Sequence, residues 1–205
     1  MSIIDFQALA DVPLAHDPYD HVLVPGLITS DALAAANRDF PAISKPGSFP
    51  TQQLEYGPGF AALLEALQGP ELAAALGEKV GIDLRDKPTM VTVRGRARAT
   101  DGQIHIDSTG KLVTVLLYMN PAWEEPGGQL RLLRSPDDLE DYAVEVPPDE
   151  GTFLAFPCVE NAWHGHQPFE GERRTIQLNW VNSKAYKTRE QVRHSISAFF
   201  KKLKA

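Results

Sequence analysis

Ile104-His105-Ile106-Asp107 decides how this 205-residue chain is read. Residues two apart point the same way on a strand but not on a helix, so His105 and Asp107 converge on one point only if the stretch is extended. Ile104 and Ile106 supply the opposite, apolar face, and Leu112-Val113-Thr114-Val115-Leu116-Leu117-Tyr118 follows in residues that favour strands. A second histidine, in Trp163-His164-Gly165-His166, completes a set of two imidazoles and one carboxylate. On a β scaffold that set is a facial triad, able to hold Fe(II) while leaving coordination positions open. A lone His-x-Asp arises readily by chance, so the weight of the reading rests on its surroundings.

Outward from this stretch, the chain is strand after strand from Met90 to Trp180. Turn signals stand at Ser108-Thr109-Gly110, Glu125-Pro126-Gly127-Gly128, Pro147-Pro148-Asp149-Glu150-Gly151 and Glu170-Gly171. The pattern predicts a mainly β protein with flanking α-helices, its core a double-stranded β-helix (jelly-roll, cupin-like) of two facing sheets. In the run after Met90-Val91-Thr92-Val93, Arg94, Arg96 and Arg98 alternate with small residues, which places three guanidinium groups on one face of a persisting strand. That face is either a charged, solvated edge or a surface that steers an anionic substrate. In Arg174-Thr175-Ile176-Gln177-Leu178-Asn179-Trp180 the even positions are apolar apart from Arg174, and the odd positions are polar. Taking the apolar face as the inner one turns Arg174 inward and Arg173 outward, and a buried guanidinium requires an anionic partner.

Ahead of the β region, His21-Val22-Leu23-Val24-Pro25 reads as a short strand, and Thr29 or Ser30 caps a helix running to about Phe40. Residues 41–59, rich in Pro, Gly, Ser and Gln, form a loop that is either a candidate active-site lid or an ordinary surface connection. Phe60–Leu67 and Glu71–Val80 carry Ala and Leu at helical spacing on either side of Gly69-Pro70. Thr188–Leu203 has Val192, Ile196, Phe199, Phe200 and Leu203 at helical spacing as well. The expected organisation is one domain, 1–205: helical support with the candidate lid over 1–87, the β-helix core over 88–182, and a C-terminal helix over 183–205.

Hydrophobic residues at 43% suffice for a sizeable core. A net charge of −7 argues against nucleic acid and anionic membranes as partners, since phosphate contacts need a basic surface. Cys158, the only cysteine, forms no internal disulfide, and neither a signal peptide nor a membrane span is evident, so the chain is expected to be cytoplasmic. Oligomeric state is not legible here. His16, His21 and His194 stand outside the motifs and read as ordinary.

Taken together, His105-Ile106-Asp107, Tyr118-Met119-Asn120, Gly127-Gly128-Gln129-Leu130, Gly151-Thr152-Phe153-Leu154-Ala155-Phe156, Trp163-His164-Gly165, and Arg174 with Trp180 resemble the Fe(II)/2-oxoglutarate-dependent dioxygenases, and more closely their prolyl-hydroxylase-like branch. The resemblance covers roughly residues 88 to 182. It implies His105, Asp107 and His164 as the catalytic metal ligands, with His164 preferred over His166, which shares its parity. It implies Arg174 as the grip on the far carboxylate of 2-oxoglutarate, with Tyr118 assisting and Thr114, on the same strand face, as a further cofactor-binding candidate. His166, Trp180, Arg94 and Arg96 are candidates to meet the substrate or to support the site. The implied reaction consumes 2-oxoglutarate and O2, releases succinate and CO2, and hydroxylates a C–H bond of a small molecule or a peptide, a prolyl residue or an amino acid among the candidates. Two rival readings use the same barrel: a cupin-like metal isomerase or hydrolase, which would have no need of an inward arginine, and a non-catalytic sensing module.

Overall fold

A computed structural model of the protein describes residues 2–190. Its chain runs α1 (Phe6–Asp11), β1 (Val22–Pro25), α2 (Ser30–Arg38), β2 (Phe49–Pro50), a 3-10 turn (Thr51–Gln53), α3 (Pro58–Leu67), α4 (Pro70–Val80), β3 (Thr89–Ala97), β4 (Lys111–Tyr118), β5 (Leu130–Leu133), β6 (Tyr142–Val146), β7 (Thr152–Pro157), β8 (His164–His166) and β9 (Gly171–Val181). Local chemistry sets the helix ends. Asp5 caps α1 by accepting from the Ala8 N–H at 3.0 Å. Both α3 and α4 begin on proline, whose missing N–H costs nothing there, and Gly81 closes α4 in the left-handed conformation at φ 70°. Residues 184–190 are helical, and the rest of the helix expected over 188–203 lies outside the described residues.

Two sheets face each other. The larger has six strands in the order β1-β7-β4-β9-β3-β2, and the smaller has three, β6-β5-β8. Every strand pairing within them is antiparallel. This is the double-stranded β-helix expected from the sequence. The large sheet is buried on both faces, and its residues divide by parity. Val113, Val115 and Leu117 of β4, with Ile176, Leu178 and Trp180 of β9, join Phe60, Leu63, Leu67, Leu72 and Leu76 of the helices in the main apolar core. The opposite face looks across at the small sheet, where Tyr118, Leu154 and Phe156 pack with Leu130, Leu132 and Val146.

That division corrects two expectations. The apolar face of β9 is the outer one, pressed on the helices, while the odd, polar positions face the space between the sheets. Trp180, 1% exposed, is therefore part of the core and not of a substrate site. Arg174 likewise projects away from the cavity, where it pairs with Glu172 at 2.7 Å and lies over the Phe40 ring at 5.2 Å. Its neighbour Arg173 is the inward guanidinium, 7% exposed. Alternation was real, but burial occurs on both faces of this sheet, and apolarity marked the helix side.

A further correction concerns β3. Register with β9 shifts between Arg94, opposite Thr175, and Arg96, opposite Glu172. The irregularity breaks the single face expected for Arg94, Arg96 and Arg98. Arg94 lines the cavity between the sheets, but Arg96 does not. Arg98 instead bonds Asp101 at 3.2 Å. The segment 41–59 is not wholly loop, since Phe49 and Pro50 pair with Val93 and Thr92 of β3. None of its residues lines the cavity.

Candidate active site

Ile104–Asp107 is held extended by one antiparallel bridge, His105 to His164, and not by a full ladder. Each of these histidines gives its backbone N–H to the other's carbonyl at 3.0 Å. The pairing puts one atom each of His105, Asp107 and His164 within 4.8 Å of one another, in a group able to hold a metal ion. Both rings are oriented for that task. His105 Nδ1 meets the Gln103 carbonyl at 2.8 Å and His164 Nδ1 meets the Ala162 carbonyl at 2.9 Å. A carbonyl can only accept, so each Nδ1 carries the proton and each Nε2 keeps its lone pair for a metal. Burial, with His105 alongside, drives the His164 pKa down to about 4, so this ring is neutral near pH 7.

The carboxylate is positioned from both sides. Lys111 Nζ donates to Asp107 Oδ1 at 2.6 Å, and the Thr114 hydroxyl donates to Oδ2 in a short bond. Thr114 in turn accepts from Asn179 Nδ2 at 2.7 Å, and Asn179 Oδ1 accepts from Gln177 at 3.3 Å. Burial would raise the Asp107 pKa, but the charge of Lys111, the His164 ring and the Thr114 hydroxyl outweigh it, and the group stays below the usual carboxylate range. Asp107 is thus ionised and ready to ligate.

Beyond the triad, the cavity is lined by Arg94, Tyr118, His166, Arg173, Thr175 and Gln177, among others. Arg173 Nε donates to the Gly128 carbonyl at 2.8 Å and its NH2 group reaches the Tyr118 hydroxyl at 3.4 Å. Gly128, at φ 79° with Trp123 and Phe169 against it, brings that carbonyl in where a side chain would not fit. Among the described residues no carboxylate pairs with Arg173. Burial raises the Tyr118 pKa against the pull of Arg173, so its phenol keeps a proton to donate. Among the described residues the buried Thr175 Oγ1 has no hydrogen-bond partner. A buried cation beside an unsatisfied hydroxyl on one wall suits an anionic ligand. His166 also faces the cavity, its pKa lowered to about 4 by burial and by Arg173, but it stands apart from the three converging ligand atoms.

Sequence reading therefore reached His105, Asp107, His164, Tyr118, Thr114, His166 and Arg94, all on the cavity or bonded at its edge. It missed Arg173, Thr175, Gln177 and Asn179. Their signal was the polar alternation of β9 itself, four inward polar side chains on a strand whose other face is apolar.

A metal-competent triad at the mouth of a jelly roll with an anion-seeking arginine inside defines a class, the β-helix metalloenzymes that take an acidic co-substrate. Residues 95–182 match the family model of the 2OG-Fe(II) oxygenase superfamily. Those residues form a 2-oxoglutarate-dependent Fe(II) dioxygenase domain, and the fold is prolyl-hydroxylase-like. Among solved structures it is similar to a prolyl-4-hydroxylase from Pseudomonas putida at 19% identity, covering 86% of this chain and 97% of that one with a TM-score of 0.57. It is similar to a viral collagen prolyl hydroxylase from Paramecium bursaria Chlorella virus-1, solved as a 2OG complex, at 15% identity, 82% and 99% coverage and a TM-score of 0.53. A Trichoplax adhaerens prolyl hydroxylase, solved with a hypoxia inducible factor peptide fragment, gives 17% identity, 86% coverage of each chain and a TM-score of 0.54. No curated protein matches the sequence.

Proposed function

We propose that His105, Asp107 and His164 hold the iron, and that Arg173, with Tyr118 and Thr175, holds the far carboxylate of 2-oxoglutarate. The observation that carries this reading is the pairing of a three-ligand cluster with a buried arginine that lacks an anion. When bound, iron and 2-oxoglutarate supply the chemistry for hydroxylating a C–H bond with O2, releasing succinate and CO2. The chain's own residues bind and orient. Gln103 and Ala162 carbonyls fix the histidine tautomers, Lys111 and Thr114 fix the carboxylate, and the Gly128 carbonyl aims Arg173. Thr114 acts as a positioning residue for Asp107. The apolar side chains of Leu116 and Leu130 on the cavity wall keep water from the reacting centre. A cupin-like isomerase or a sensing module would leave the anion-seeking Arg173 without purpose.

The substrate is a small molecule or a peptide. Free Cys158 suits a reducing, cytoplasmic setting. The test is succinate formation from 2-oxoglutarate by the Fe(II)-loaded protein, compared with Asp107→Ala. Loss of turnover and of iron in Asp107→Ala is expected, and undiminished turnover in an iron-loaded Asp107→Ala protein would remove this residue from the centre.

A further inference from the structure

Arg94 is the cationic group on the cavity wall that the co-substrate reading leaves unused. Its guanidinium makes no hydrogen bond to any described residue, and its ion-pair partner among them is Asp101, with Oδ2 at 3.7 Å from NH1. Asp101 is already engaged, taking the Arg98 backbone N–H at 3.1 Å and the Arg98 guanidinium at 3.2 Å. Two guanidinium groups thus share one carboxylate, and Arg173 adds a further positive charge within electrostatic reach. Asp107, the cavity's other acid, is taken by Lys111. The wall keeps a positive surplus after the co-substrate's far carboxylate has paired with Arg173.

Location separates the two arginines. Arg173 is buried and braced by Gly128 and Tyr118, whereas the Arg94 side chain is 36% exposed and stands toward solvent on the same cavity. A guanidinium held only by one long ion pair suits a planar carboxylate, which it can take in a two-bond fork.

We propose that Arg94 is the receptor for the substrate itself, and that the substrate carries a carboxylate which pairs with Arg94 while one of its C–H bonds faces the His105, Asp107 and His164 centre. This rests on the reading of Arg173 as the co-substrate's partner. A free carboxylic acid and an acidic side chain of a peptide present the same chemistry to Arg94.

The test measures succinate formed by the Fe(II)-loaded full chain over its background without substrate. The probes are the free L-amino acids and simple aliphatic carboxylic acids, the primary amides of each, and end-blocked peptides containing Asp or Glu. These are run on the wild type, Arg94→Gln and Arg94→Lys, with melting temperatures to confirm folding. Stimulation by an acid and not by its amide is expected, with the half-saturating concentration about 10- to 100-fold higher in Arg94→Gln and less raised in Arg94→Lys. Background turnover and 2-oxoglutarate affinity should stay within about twofold across the three proteins. Stimulation by free acids or by the blocked peptides tells which source supplies the carboxylate. A tenfold loss of 2-oxoglutarate affinity in Arg94→Gln, amides as effective as acids, or no Arg94-dependent probe in the panel would each overturn the proposal. Absence of iron-dependent succinate in the wild type would instead remove the underlying oxygenase assignment, and this proposal with it.

Discussion

His105 and His164 are locked to each other by their backbones, each donating its N–H to the other's carbonyl at 3.0 Å, with their rings 4.3 Å apart between centroids. The two imidazoles therefore keep their spacing without a metal to impose it. Such preorganisation lowers the cost of binding an ion, because ligand ordering has been met by folding.

His164→Ala should lose iron while His166→Ala keeps it, since only His164 joins the converging atoms. Metal content of the two purified variants checks this, and the reverse pattern would exchange their roles.

Arg173→Ala should weaken 2-oxoglutarate binding by about 10- to 100-fold, the value of one charge-assisted pair at about 1.5 to 3 kcal/mol. Arg174→Ala, which loses an exposed pair with Glu172, should change it less than about twofold. Calorimetric titration of 2-oxoglutarate into the anaerobic Fe(II) protein separates the two.

Lys111→Met should destabilise the metal-free protein by about 3 kcal/mol, because it leaves the buried Asp107 carboxylate without its cation. An added divalent ion replaces that charge, so the metal-induced rise in melting temperature should be larger in Lys111→Met than in the wild type. The pH dependence has a definite sign. Asp107 is depressed in the folded state, so its contribution is present at neutral pH and is lost as pH falls through the folded value. An equal metal-induced rise in both proteins would separate Lys111 from the carboxylate's charge balance.

Gly102→Ala should disturb His166 without touching the triad. Gly102 sits at φ 88°, and an added Cβ would collide with the His166 ring. Strain and overpacking together should cost about 1–3 kcal/mol in denaturant unfolding, with iron content unchanged.

Much of this architecture was legible because its signals are local. Leu112 to Tyr118 is β-rich and forms β4, Gly69-Pro70 divides α3 from α4, and the His-x-Asp spacing demands the extension that the His105 bridge supplies. What stayed hidden depends on partners. Nothing within β9 says which of its two buried faces meets helices and which meets a cavity, so Arg174 and Trp180 were assigned to the wrong side. The irregularity between Arg94 and Arg96 arises from pairing with β9 and has no signature in Arg94-Gly95-Arg96. Six-residue α1 carries one buried side chain, Leu9, too little for a periodic pattern.

The strand order gives β9 a further meaning. It is the latest of the described strands to be synthesised, yet it lies between β4 and β3 in the interior of the large sheet. On the ribosome, β3 and β4 must wait with open edges until Gly171–Val181 emerges to join them. The same arrival delivers Arg173 and Thr175, so closing the sheet and completing the cavity wall are one event. A partly made chain carries His105, Asp107 and His164 before the cavity wall that β9 supplies is in place.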